Sequence, residues 1–188
     1  MKKETMDFAE RQQELTICKG GRQALVLLNE RREIREVGMP EDGTEEQTMF
    51  VYDGYWLDVD GGQDVLSAAR KAVAEEIDKY DTSSAVNGFV LNGQKVWLDK
   101  STRVGLMNST TIAKAAGNKT TTLWLGDIKL EVDCDKAIQL LSALEMYALQ
   151  CFNVTAAHKA EVNGMTDIDK VLAYDVAAGY PEQLKMEV

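Results

Sequence analysis

The chain has 188 residues, enough for one domain of ordinary size or two small ones. Its 45% hydrophobic and 28% charged content belongs to a globular protein, neither disordered nor fibrous. A formal net charge of −10 repels phosphate backbones and anionic bilayer surfaces, so neither nucleic acid nor a membrane is an expected partner.

No apolar run nears the ~20 residues that cross a bilayer. After Lys2 and Lys3 the N-terminus turns polar and acidic, without the apolar core of a secretory signal. Cytoplasmic residence is the expectation. Cys18, Cys134 and Cys151 are odd in number and widely spaced, which favours reduced thiols over a disulfide framework.

In chain order, residues 1–20 are charged and weakly periodic, with Phe8, Leu15 and Ile17 as the large apolar groups. They read as a helix awaiting a partner surface or as a mobile arm, ended by Lys19-Gly20-Gly21-Arg22. Residues 21–80 read as a small antiparallel sheet with one covering helix. Ala24–Leu28 is a strand-length aliphatic run, and Glu33–Val37 alternates polar with apolar. An acidic turn, Gly38–Thr44, follows. Met49–Tyr52 and Tyr55–Val59 flank Asp53-Gly54, a two-residue hairpin signal. Beyond Asp60-Gly61-Gly62, with Asp60 as the expected cap, Val65, Leu66, Ala69, Val73, Ala74 and Ile77 recur at helical spacing.

Residues 81–188 read as a hairpin–helix–hairpin–long-helix module. Phe89–Leu91 and Lys95–Leu98 flank Asn92-Gly93, which tolerates the two positive φ angles of a type I′ turn. Asp99 or Ser101 caps a helix that stops at Gly117-Asn118. Thr121–Leu125 and Ile128–Val132 flank Gly126-Asp127. Asp133 then caps the longest helix, about 134–162, whose broad apolar face includes Ala137, Leu141, Leu144, Met146, Tyr147, Leu149, Cys151 and Phe152. Burying ~8 such side chains contributes roughly 12–24 kcal/mol before chain entropy is subtracted. Thr166 with Asp169 suggests a capping box for a short last helix, and an extended ending closes the chain. The fold class is therefore α+β, with the long helix as its spine.

The chemistry-bearing residues are sparse. His158 is the lone histidine. Cys151, seven positions earlier, is about 10 Å away by helical rise, too far for a thiol–imidazole pair. Cys134 begins a helix, but Asp133 and Asp135 beside it oppose a thiolate. The cysteines and histidine lack zinc-ligand spacing. Asp58–Asp64 resembles a calcium loop until Gly62 stands at its third ligand position and Ala69 at its twelfth. Phosphate loops and a Gly-x-Ser-x-Gly elbow are absent. Trp56, Trp97 and Trp124 each sit in a predicted strand and read as core packing, with a sugar- or protein-binding platform as the alternative. No catalytic, metal or cofactor residue is predicted.

One further signal comes from resemblance. Tyr80-Asp81-Thr82-Ser83-Ser84-Ala85-Val86-Asn87, Asn92-Gly93, Trp97-Leu98-Asp99-Lys100, Arg103-Val104, Thr122-Leu123-Trp124, Leu144–Ala148, Thr155–His158 and Tyr174-Asp175…Gly179-Tyr180-Pro181 are similar in order and spacing to an uncharacterised, domain-of-unknown-function family of phage tail and prophage proteins. The likeness implies a tail-fibre- or baseplate-associated component, resident in the cytoplasm of the producing bacterium or carried on the virion, that acts by docking to other tail or host-surface proteins or by self-association. A carbohydrate- or receptor-binding module and a glycan hydrolase are the alternatives. Asn87, Asn92, Trp97, Asp99, Arg103 and His158 match the pattern, with Trp124, Tyr174, Asp175 and Tyr180 as further structural or interaction residues. From the residues themselves, Asn92 and Asp99 read as turn and cap, and Trp97 as core. Arg103, in a first helical turn where acids are favoured, is expected to meet a carboxylate or carbonyl that ties the two hairpins to the long helix.

Overall fold

The computed structural model describes residues 1–13, 16–19, 22–38, 44–59 and 63–188 of the chain, with the side chains of 17–19, 37, 38, 44 and 45 left aside. The fold is α+β, with antiparallel strands in small sheets and a long helix, Cys134–Gly164. The chain divides into two compact units: residues 1–76 with 161–174, and residues 77–160 with 175–188.

Unit 1 is built on a four-stranded antiparallel sheet of order β1-β4-β3-β2. Its strands are β1 (Lys2–Phe8), β2 (Thr16–Lys19), β3 (Gln23–Gly38) and β4 (Thr44–Asp58). The helix or arm expected over residues 1–20 is instead two strands. Lys2 pairs with Trp56 and Phe8 with Phe50, so β1 takes its structure from partners about fifty residues away. Leu15 and the Gly38–Thr44 turn fall wholly or largely outside the described residues.

The hairpin expected at Asp53-Gly54 does not form either. β4 runs straight through both residues, pairing Asp53 with Leu28 and Gly54 with Leu27. Gly54 is there for space, since a Cβ would sit 2.4 Å from Met6 Cγ and 3.2 Å from Leu25 Cδ1. The two short strands expected at 24–28 and 33–37 are one strand, β3, interrupted by a register shift between Leu28 and Arg31. Asn29 adopts a φ of 54° there and donates to Asp53 Oδ2 at 2.9 Å, while Arg31 reaches Asp53 Oδ1 at 3.1 Å. Those bonds, Asn29 first, hold the Asp53 carboxyl below its ordinary range. Ala24–Leu28 is buried throughout, as a strand covered on both faces must be. Leu25, Leu27 and Tyr52 form one cluster with Met6, Phe8, Phe50 and Trp56 against it.

Helix α1 spans Val65–Asp81. Asp60 lies outside the described residues, and Asp64 caps α1: its Oδ1 accepts from Ser67 N at 2.9 Å. Within unit 1, Arg70 Nε donates to Met165 O at 2.9 Å. The short helix α5 (Ile168–Leu172) is capped by Asp167, not by the Thr166–Asp169 box, because Asp167 Oδ1 accepts from Asp169 N at 3.0 Å.

Unit 2 follows local rules closely. Ser83 caps the single turn α2 (Ser84–Asn87). Strands β5 (Gly88–Leu91) and β6 (Gln94–Trp97) turn at Asn92 and Gly93, whose φ angles of 48° and 79° are those of a type I′ hairpin. Asp99 caps α3 (Lys100–Ala115), accepting from Thr102 N. The helix ends in a Schellman motif: Asn118 N donates to Ala113 O, Gly117 N to Lys114 O, and Gly117 has a φ of 89°. Strands β7 (Thr120–Leu125) and β8 (Ile128–Asp133) turn at Gly126-Asp127. Asp133 Oδ1 accepts from Asp135 N at 2.8 Å and so caps α4, Cys134–Gly164.

The core of unit 2 joins both hairpins to α4 through Phe89, Leu91, Val96, Leu98, Leu123, Leu125, Val132, Leu141 and Leu144. After a turn over 175–178, in which Asp175 Oδ1 accepts from Ala177 N, the last residues supply β9 (Lys185–Met186), parallel to β5.

Candidate docking groove

Unit 2 carries a groove of about 420 Å³, within the ~300–1,000 Å³ range of ligand sites. Each wall follows from a local signal. Ser83 starts α2 and so places Val86 and Asn87; Asp99 starts α3 and places Lys100 and Arg103. α4 contributes Leu144, Glu145, Tyr147, Leu149, Cys151 and Phe152 along a little over two turns.

Polar groups of the groove are largely bound to one another. Arg103, whose side chain is only 11% exposed, donates from Nε to Glu145 Oε1 at 2.8 Å and from Nη1 to Leu98 O at 2.8 Å. It thus meets both a carboxylate and a carbonyl, tying α4 to the first hairpin alone. Lys100 lines the groove, exposed and without an ion-pair partner among the described residues. Asn87 Nδ2 donates to Asp81 O. Asp81 Oδ1 accepts from Thr155 Oγ1 at 2.7 Å, and Tyr180 Oη lies 2.8 Å from the same Thr155 oxygen. Thr155 Oγ1 also has Cys151 O at 3.1 Å; with its one hydrogen directed to the carboxylate and that carbonyl, it accepts from Tyr180.

Tyr147 and Cys151 are buried beneath the groove with Val86, against Tyr80 and Tyr180. Among the described residues the Tyr147 hydroxyl has no partner at hydrogen-bond distance; it faces the Cys151 thiol, and burial first, with that thiol second, pushes it up to about 12. Burial raises the Cys151 thiol as well, which keeps it protonated and a poor nucleophile. Cys134 and Cys151 are both free and buried. Among the described residues no three His, Cys, Asp or Glu side chains are placed to hold a metal ion, and no helix is long and apolar enough to cross a membrane.

The other predicted residues scatter. His158 is buried, its Nε2 2.8 Å from Ala178 O and its ring 5.6 Å from that of Tyr180. Tyr174 belongs to unit 1, where its hydroxyl donates to Glu161 at 2.8 Å. The expected core roles of two tryptophans are overturned: Trp97 is 55% and Trp124 56% exposed. Each sits on the outward side of its hairpin, beside the buried Val96 and Leu123, because strand neighbours face opposite ways. Trp56 is half-buried and donates to Glu4 at 3.1 Å.

Sequence reasoning placed Met146, Leu149 and Phe152 in the core, yet they are 58%, 50% and 66% exposed. Their spacing held the correction. With Leu141, Leu144, Tyr147 and Cys151 already on one face, residues three positions apart at 146, 149 and 152 widen the apolar arc beyond what one core contact covers.

Residues 68–178, more than half of the chain, match the domain-of-unknown-function family DUF4376. The chain belongs to that family. Every residue of the groove falls inside the matched stretch. No curated protein and no solved structure matches the chain.

Proposed function

We propose that this DUF4376 protein is an accessory or structural component of a phage or prophage, associated with the tail fibre or baseplate, and that it acts by docking to another protein rather than by catalysis. The observation that carries docking is the row Met146, Leu149 and Phe152, exposed on α4 where Leu149 and Phe152 also wall the groove. Large apolar side chains left in water beside a concave apolar surface mark interaction sites. The viral setting is supported by the resemblance described above. A −10 chain also favours a partner with a basic rim.

The test is co-production of the full chain with neighbouring tail proteins, pull-down, and light scattering at several concentrations. Leu149→Asp with Phe152→Asp should abolish a specific complex while the melting transition stays cooperative. A complex untouched by that pair would refute the groove as the docking face; absence of the protein from tails and from every tail-protein pull-down would refute the setting.

A second reading, carbohydrate or receptor binding, is favoured by the exposure of Trp97 and Trp124, since aromatic faces stack on sugars and anchor protein contacts. Quenching of tryptophan emission by host-surface glycans, lost in Trp97→Ala and Trp124→Ala, would establish it.

A further inference from the structure

β5 is the middle strand of the β6-β5-β9 sheet, and its two edges are covered differently. One edge pairs with β6 through a two-residue turn. Among the described residues, the other is covered by residues that return to unit 2 after the stretch 161–174 assigned to unit 1. There Val90 N donates to Leu184 O at 2.8 Å and Asn92 N to Met186 O at 2.9 Å. Val188 N donates to Asn92 Oδ1 at 3.0 Å, and Gln183 Nε2 reaches Ser84 O at 3.3 Å. Leu184 and Met186 pack on the core of unit 2 while remaining only partly buried.

β5 and β6 lie inside the family's residues 68–178, whereas β9 lies outside them. The edge that β9 covers is therefore part of the shared domain, and its cover is not. An edge strand flanked by buried Phe89 and Leu91 is a template for a further strand.

The cover is weakly fastened. The last firm anchor before it is Tyr180, which bonds Thr155 and lies 5.2 Å from the Tyr80 ring. Past Tyr180 the chain enters Pro181, and β9 itself has two residues. The β5–β9 ladder, the bonds of Gln183 and Val188 and two half-buried side chains are set against the entropy of ordering residues 181–188, a balance that a competing copy of the same segment can match. Eight extended residues span roughly 26 Å, enough to reach a neighbouring molecule.

We propose that the β5 edge is a strand-acceptor site, and that its partner in trans is residues 181–188 of a second copy of this chain, entering parallel to β5 with Lys185 opposite Val90 and Met186 opposite Leu91. The second copy is singled out because the register, the seats for Leu184 and Met186 and the Asn92 acceptor already fit this segment, so exchanging it creates no new interface. The inference is independent of the α4 groove and of the viral setting.

Two measurements on the full chain test it. In the wild type, the Val90 and Asn92 amides point to β9, and those of Phe89 and Leu91, by strand alternation, to β6. Hydrogen exchange should be at least tenfold faster for the first pair; equal rates on the two edges would overturn a releasable cover. The second uses Leu184→Asp with Met186→Asp, which undocks the cover, and a fluorescent peptide of residues 181–188. Provided the variant melts cooperatively, the peptide should bind it saturably and at least tenfold more tightly than it binds wild type, whose own segment competes. A peptide carrying the same two Asp substitutions should not bind. No saturable binding to the folded variant would overturn the acceptor site. Equal binding of an unrelated alternating octapeptide would overturn the second copy as its partner.

Discussion

The same kind of dipeptide stands at two places in this protein and does opposite things. Asn92-Gly93 in unit 2 is a hairpin turn, with φ angles of 48° and 79° and open space around Gly93. Asp53-Gly54 in unit 1 lies in mid-strand, and Gly54 is hemmed in by Met6 and Leu25 from two neighbouring strands. In the first case glycine supplies a backbone angle; in the second it supplies room. The difference is decided by what lies across the chain, which in unit 1 is residues some thirty to fifty positions away.

The largest expected effect separates those two roles. Gly54→Ala should cost ~1–3 kcal/mol by overpacking, and Met6→Ala in the same chain should recover part of that loss in a double-mutant cycle. Gly93→Asn should cost well under ~1 kcal/mol, because asparagine visits the left-handed region readily. Denaturant unfolding of the four variants reads both. Similar losses at Gly54 and Gly93, with no rescue by Met6→Ala, would erase the distinction.

Next in size is Thr155→Val in unit 2. The hydroxyl is buried between Asp81 and Tyr180, and its removal leaves both without that partner, at ~1–3 kcal/mol. The matching change on the sheet of unit 1, Arg31→Met, should cost only ~0–1 kcal/mol. Its exposed pair with Asp53 is solvated and screened, and Asn29 still serves the carboxylate.

This contrast also explains what could be read from the residues alone. In unit 2 the turn at Asn92-Gly93, the caps Asp99 and Asp133 and the stop at Gly117 are local signals, so both hairpins, α3 and α4 were legible in order, whereas the single turn α2 and the two-residue β9 were not. In unit 1 the charged stretch Lys2–Phe8 carries only a faint alternation, with Glu4, Met6 and Phe8 half-buried on one side; pairing, not propensity, makes it a strand. The candidate site was half legible. Arg103 stood out as a cation in a first helical turn, and it does meet Glu145 and Leu98. The groove itself requires α2, α3 and α4 to converge, and no spacing within one element encodes that.

Two buried tyrosines sharpen the comparison further. Tyr52 in unit 1 accepts from Gln12 N and donates to Glu30, each at 3.2 Å, so Tyr52→Phe should cost ~0.5–1.5 kcal/mol. Tyr147 in unit 2 has no such partner among the described residues, so Tyr147→Phe should leave stability at neutral pH within a few tenths of a kcal/mol of wild type or raise it. Alkali tells them apart. Burial raises the Tyr147 hydroxyl from its ordinary 10.0 to about 12, so the folded state holds its proton more tightly than the unfolded one. Its contribution is fully present below pH ~10 and lost as pH climbs towards ~12. Cys151 and Tyr180, also raised by burial, act in the same direction. Tyr147→Phe should therefore flatten the alkaline fall in stability; an unchanged slope would place the burial of that hydroxyl in doubt.

Gly105 adds a third glycine to the comparison, and its effect has the opposite sign. It sits inside α3 (residues 100–115), and a Cβ built on it would meet nothing within 4 Å. Neither room nor a special angle requires glycine there. Glycine in a helix interior costs roughly 0.5–1 kcal/mol relative to alanine, so Gly105→Ala should raise stability by about that amount in denaturant unfolding. Its neighbour Val104 is 42% exposed, and a bare backbone beside an exposed apolar side chain suits close approach by another surface. If Gly105→Ala stabilises the isolated chain yet weakens its association with itself or a tail protein, the glycine is kept for contact with a partner. If association is unchanged, α3 lies clear of the surface that associates, and the proposed α4 groove and β5 edge are the faces left to probe.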